Sequence, residues 1–216
     1  MDVSQHIVFI IEIIGTIAFA FSGTMVAIEK KLDLFGVIIL GLATAVGGGM
    51  IRDVILGIHP PMMFRNSIYV KISVVVSVVI FLIVYWNNQF LTSKYMQVYT
   101  VIMNLFDAIG LGAFTVIGIN TAYNAGFQDK TLLLIAVGMI TGVGGGMIRD
   151  IFAGQTPAVL RKHIYASASF VGAITCVFII RSSIGYSSAM VIGALLVIVI
   201  RFFASKYRWN LPKAVQ

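Results

Sequence analysis

The stretch "GGGMIRD" runs from Gly47 to Asp53 and recurs unchanged from Gly144 to Asp150, a displacement of 97. Each copy closes a long apolar run, 34–57 and 131–154. Three successive glycines oppose a helix interior, at roughly 1 kcal/mol each relative to alanine. An Arg-Asp pair opposes a membrane, where each charge costs about 2.5–3.5 kcal/mol at the bilayer centre. Both features, placed twice in apolar surroundings, need a compensating role.

The surroundings are those of a membrane protein. Of 216 residues, 59% are hydrophobic and 11% charged, and the mean hydropathy is +1.00. Soluble domains carry about 25% charged residues, so too few polar groups are present to cover a soluble surface. Apolar stretches at 7–28, 34–57, 67–86, 97–120, 131–154, 163–181 and 184–203 predict seven transmembrane helices. The fold class is an all-α membrane protein, and the function is expected within the membrane part. The first stretch contains a small-x-small pattern at Ala18-Phe19-Ala20, but the N-terminus has Asp2 and no Lys or Arg ahead of it, so it reads as a retained span. Cys176 permits no internal disulfide, and His6, His59 and His163 lack metal-ligand spacing, so no metal site is expected.

Seven spans place the termini on opposite sides. Ten Lys and Arg fall on the C-terminal side and five on the N-terminal side. The positive-inside rule then puts the C-terminus in the cytoplasm and the N-terminus outside a bacterial-type inner membrane. The net charge of +7 is mostly this asymmetry. Scattered loop cations favour anionic lipid headgroups as partners, and nucleic acid is not expected.

The doubled motif belongs to a longer repeat. Glu12, Gly15, Phe19, Gly23 and Ala27 match Asp107, Gly110, Phe114, Gly118 and Ala122 at a displacement of 95. Gly41, Thr44, Gly57 and Pro60 match Gly138, Thr141, Gly154 and Pro157 at 97, and Arg65 and Tyr69 match Arg161 and Tyr165 at 96. The unit is three spans, an odd number, so the second copy enters the membrane from the opposite side. The expectation is an inverted 3+3 repeat, units 1–90 and 97–181, followed by a seventh helix at 184–205 and a cytoplasmic tail at 206–216.

Two readings of the triplets compete. Gly41, Ala45 and Gly49, like Gly138, Gly142 and Gly146, form small-residue stripes that let helices approach closely. That accounts for one glycine of each triplet. A break or kink at Gly47-Gly48-Gly49 and Gly144-Gly145-Gly146 accounts for three in a row, and exposes carbonyls able to coordinate cations along a path. The consecutive placement favours a break or kink over packing alone. Arg52, Asp53, Arg149 and Asp150 follow the triplets, either as helix-end charges at the interface or at the mouths of that path. Adjacent helical residues point apart, so Arg52 is not expected to pair with Asp53. Glu12 and Asp107 have no cation within two turns on their own spans and bias the path towards cations. Phe19 and Phe114 are either a hydrophobic constriction or packing, with packing favoured. No nucleophile elbow, Walker loop, H-E-x-x-H or paired carboxylates on one helical face is present, so an enzyme is not expected.

The paired "GGGMIRD" motifs, the three-plus-three-plus-one span pattern and the doubled acidic-x-x-Gly-x-x-x-Phe pattern resemble the prokaryotic branch of the trimeric intracellular cation (TRIC) channels, which overlaps bacterial membrane proteins grouped as glycine transporters. The resemblance covers about 5–205. It implies a homotrimer with one pore per subunit, conduction of K⁺ with Na⁺ also possible, and no cofactor beyond the permeant ion. It implies that the second and fifth spans kink at their triplets and line the pore with the first and fourth. The "IEKK" at Ile28–Lys31 matches the lipid-binding segment of animal members only loosely, and no phosphoinositide site follows from it. The alternative is a secondary carrier of a small solute such as glycine, because inverted repeats with broken helices are common in carriers.

Overall fold

A computed structural model describes residues 3–86, 96–161, 164–182, 184–207 and 209. Most of the expected tail, 206–216, and Lys94 lie outside them. The described residues form nine helices: α1 (Val3–Glu29), α2 (Leu34–Ile55), α3 (Met62–Arg65), α4 (Ile68–Trp86), α5 (Met96–Asn124), α6 (Thr131–Phe152), α7 (Ala158–Arg161), α8 (Ala166–Ile180) and α9 (Tyr186–Tyr207). Six of them (α1, α2, α4, α5, α6 and α9) are long and apolar enough to cross a membrane. The sixth apolar stretch of the sequence becomes α8, with 15 residues. At 1.5 Å per residue it covers roughly 22 Å, short of a 30 Å hydrocarbon core.

The elements start and stop for local reasons. Asp33 caps α2, its Oδ1 accepting the Gly36 N–H at 2.8 Å. Helices α2 and α6 end alike. Gly57 (φ +69°) and Gly154 (φ +66°) take the left-handed conformation that a helix stop of this kind requires. The next N–H then returns to the helix, Ile58 to Asp53 O and Gln155 to Asp150 O, both at 2.8 Å. Three buried threonines are satisfied on their own helix: Thr44, Thr115 and Thr141 donate to Leu40 O, Leu111 O and Val137 O at 2.6–2.7 Å.

Helices α1, α2, α5 and α6 pack on one another at the centre. Helix α4 lies against α1 and α2, α8 against α6, and α9 against α5 and α8. The glycines set these contacts. A Cβ on Gly110 would strike the Phe19 ring, and one on Gly15 would stand 2.8 Å from Ala113 Cβ and 3.3 Å from the Phe114 ring. Each phenylalanine therefore sits over a glycine of the other three-helix unit, and the two rings meet at 5.2 Å between centroids. Both are buried, at 1% and 7% exposure.

Both triplets lie in unbroken helix, which corrects the expectation of a break. They are where α2 crosses α6. A Cβ on Gly48 would strike Thr141 O and stand 3.1 Å from Gly145 N; one on Gly145 would strike Thr44 O and stand 3.0 Å from the Phe19 ring. A Cβ on Gly144 would lie 3.0 Å from Gly48 Cα, and one on Gly47 would strike Ile148 Cδ1. Five of the six triplet glycines have a close neighbour in the way of a Cβ; Gly49 has only Arg52 Nη2, at 3.6 Å. Two backbones in van der Waals contact offset the helix-propensity cost, as small residues do at membrane helix crossings.

Candidate functional site

Four groups recur at matching places in the two three-helix units: an acid, an arginine, the aspartate after it, and a tyrosine. In the first unit they are Glu12 on α1, Arg52 and Asp53 on α2, and Tyr69 on α4. In the second they are Asp107 on α5, Arg149 and Asp150 on α6, and Tyr165 just before α8.

Arg52 and Arg149 stand in the last turns of α2 and α6 and are 4% and 5% exposed. Contrary to the sequence expectation, each pairs with its own neighbour. Arg52 Nε and Nη2 both lie 2.8 Å from Asp53 Oδ1, and Arg149 Nε and Nη2 lie 2.9 and 2.8 Å from Asp150 Oδ1. The rule that adjacent residues diverge concerns Cβ directions; an arginine is long enough to fold back across that angle. The second oxygen of each aspartate holds a one-turn helix in place. Asp53 Oδ2 accepts the Met62 N–H at 2.7 Å, and Asp150 Oδ2 accepts the Ala158 N–H at 2.6 Å.

The acids differ in their surroundings. Glu12 Oε2 accepts the Tyr69 hydroxyl at 2.5 Å. It lines a cavity of about 30 Å³ together with Thr16, Gly49, Arg52, Asp53, Tyr69 and Phe114, room for a water or two. Glu12 also lines a larger vestibule of about 410 Å³ between the N-terminal turns of α1, the C-terminal turns of α5 and the start of α9. One carboxylate therefore stands between a vestibule and an inner cavity, and the inner cavity ends on Phe114.

Asp107 is locked instead. Its Oδ1 accepts from Arg149 Nη1 at 2.8 Å and from the Tyr165 hydroxyl at 3.2 Å. Arg149 Nη1 also donates to Ser22 on α1. Arg201 of α9 brings its Nη2 to 3.6 Å from Asp107 Oδ2, donates through Nη1 to Ile164 O at 2.9 Å, and stacks over the Tyr165 ring at 4.6 Å. Two carboxylates thus meet two guanidiniums. The expectation that Asp107 would act as an open cation-attracting charge does not hold in this arrangement.

Of the residues singled out in the sequence, Gly49, Arg52, Asp53, Glu12 and Phe114 meet around the inner cavity. Asp107, Arg149 and Asp150 meet in the locked cluster, with Gly146 beside them: a Cβ there would lie 2.8 Å from the Tyr165 hydroxyl. Gly47, Gly48, Gly144 and Gly145 belong to the helix crossing, and Phe19 packs between that crossing and Phe114. Sequence reasoning missed Tyr69, Tyr165, Ser22 and Arg201. The tyrosines carried a signal in their recurrence. Arg201 carried another, as an arginine inside the seventh apolar stretch.

These features define a polytopic α-helical membrane protein with two related buried charge clusters. The chain belongs to the family described as Glycine transporter, whose model matches residues 9–85 and 104–181. It is 35% identical over 95% of both chains to the UPF0126 inner membrane protein YadS of Escherichia coli. Its fold is that of the TRIC channels. A prokaryotic TRIC channel crystallised in 0.5 M KCl superposes with a TM-score of 0.83 at 32% identity, covering 96% of this chain and all of that one. The TRIC trimeric intracellular cation channel orthologue from Rhodobacter sphaeroides superposes at 0.82 with 28% identity, over 94% and 98%. These relatives are membrane proteins and channels, not enzymes.

Proposed function

We propose that the chain is a monovalent-cation channel, favouring K⁺ and admitting Na⁺, with one path per subunit of a homotrimer and no cofactor. The observation that carries this reading is Glu12, a single carboxylate shared by the 410 Å³ vestibule and the 30 Å³ cavity. A negative charge at the neck of a polar path concentrates cations and repels anions. The likeness to TRIC cation channels, over 96% of this chain at 32–33% identity, supports it. The path runs among α1, α2, α5 and α6. Residues 1–90 and 97–181 form inverted halves, and α9 with the tail completes the subunit. The N-terminus and vestibule face outwards from an inner membrane, and the C-terminus faces the cytoplasm. In the conformation described, the path is shut at Phe19 and Phe114 and, beyond them, by the Arg149 bonds to Ser22 and Asp107.

A second reading is a carrier, suggested by the family description and by one end being open while the other is locked. Flux into proteoliposomes separates the two. A channel admits radiolabelled rubidium along its gradient, unaffected by glycine. A carrier shows glycine uptake that saturates, and rubidium entry no faster than in empty liposomes.

A further inference from the structure

The vestibule is much larger than a bare alkali cation, and its chemistry is more specific than a water-filled mouth needs. It is lined by Ser4, Gln5, Val8, Phe9, Glu12, Asn120, Tyr123, Asn124 and Tyr186, of which only Glu12 is charged. Tyr123 and Tyr186 meet at 5.3 Å between centroids and 54° between planes, so the wall is aromatic on two helices. Asn120 holds this wall together: its Oδ1 accepts the Tyr186 hydroxyl at 2.7 Å and the Asn124 amide at 3.2 Å. Aromatic rings beside one carboxylate form a recognition site for an ammonium group carrying a small apolar body.

We propose that the vestibule binds small organic monoammonium ions, with the ammonium at Glu12 and the alkyl part against Tyr123, Tyr186 and Phe9. Occupancy there blocks cation flow from the N-terminal side, a consequence that rests on the channel reading, whereas the binding itself does not. The site also ranks its ligands. Glycine brings a carboxylate, and no cation lies among the lining residues to receive it. Arg52 lines the inner cavity, but its guanidinium is engaged by Asp53. Ethylammonium therefore binds more tightly than glycine.

The test is saturation-transfer NMR on the purified full chain in nanodiscs, with ethylammonium and glycine as probes and size-exclusion elution as the check on folding. Ethylammonium is expected to bind more tightly than glycine and to be displaced by KCl. Glu12→Gln is expected to weaken it by roughly tenfold or more, and Tyr186→Leu by roughly threefold. Gln5→Glu, at an exposed lining position, adds a second carboxylate and is expected to tighten it by about threefold; this variant carries the test if Glu12→Gln fails to fold. Absence of ethylammonium binding overturns the proposal, as does glycine binding equally well or a Gln5→Glu variant that does not tighten. Currents without ethylammonium binding remove the site and keep the channel. Binding in a protein that passes no current keeps the site and removes the channel.

Discussion

Glu12 and Asp107 occupy matching positions, yet one faces water-sized space and the other is sealed among two arginines and a tyrosine. The partner tyrosines follow suit, Tyr69 half-buried and Tyr165 at 1% exposure. A handful of differences produce the contrast. Where the first unit has the hydroxyl of Thr16 on its cavity, the second has the aliphatic Leu111; both are buried, at 1% and 0% exposure. Arg149 reaches Ser22, whereas the residue of the other half that matches Ser22, and that Arg52 would meet, is Ile117. Helix α9 lies outside the repeat and acts on both: it supplies Arg201 to the sealed cluster and Tyr186 to the open vestibule. A duplicated scaffold thus holds one wet site and one dry site, with the shorter α8 and the added α9 packed on the dry one.

Removing the acids is expected to separate the halves most sharply. Asp107→Ala leaves Arg201 and Arg149 buried without their shared carboxylate, a loss of about 3–5 kcal/mol. Glu12→Gln, beside water-sized space, is expected to cost about 1 kcal/mol or less. Reversible unfolding in mixed micelles measures both, and equal losses would abolish the distinction between wet and dry. Next comes accessibility. With Cys176 buried as a silent background, Thr16→Cys, on the water-sized cavity, is expected to react with Ag⁺, small enough to enter that space, on the order of 100-fold faster than Leu111→Cys. Comparable rates would mean that the second half opens as readily as the first. The smallest effect concerns the glycines. Gly48→Ala is expected to destabilise by about 1–3 kcal/mol through overpacking on α6. Gly49→Ala has only Arg52 Nη2 nearby, at 3.6 Å, and should gain up to about 1 kcal/mol from helix propensity. If both variants stabilise, the triplets are not there for close approach.

Six of the seven spans were legible because long apolar runs leave no other way to bury so much surface; the sixth run folds as the shorter α8. The repeat was legible because its residues recur at nearly fixed displacements. The one-turn helices α3 and α7 were not, since four residues carry no periodicity; the matching Pro60 and Pro157, with Arg65 and Arg161, were their trace. The triplets were misread as breaks because a sequence shows the cost of a glycine on its own helix and hides the backbone that approaches it. The Arg-Asp pairs were misread because helix geometry fixes where a side chain starts, and arginine is long enough to end elsewhere. Arg201 stands near the end of the seventh apolar run with no partner legible there; only the fold brings α9 against α5 and reveals Asp107.

The most direct measurement is single-channel recording in planar bilayers under a KCl gradient, with wild type and Glu12→Gln side by side. The account predicts discrete events reversing near the K⁺ potential, with smaller unitary current in Glu12→Gln. Silent bilayers across lipids and voltages would contradict it, as would events whose size and selectivity are the same in both proteins.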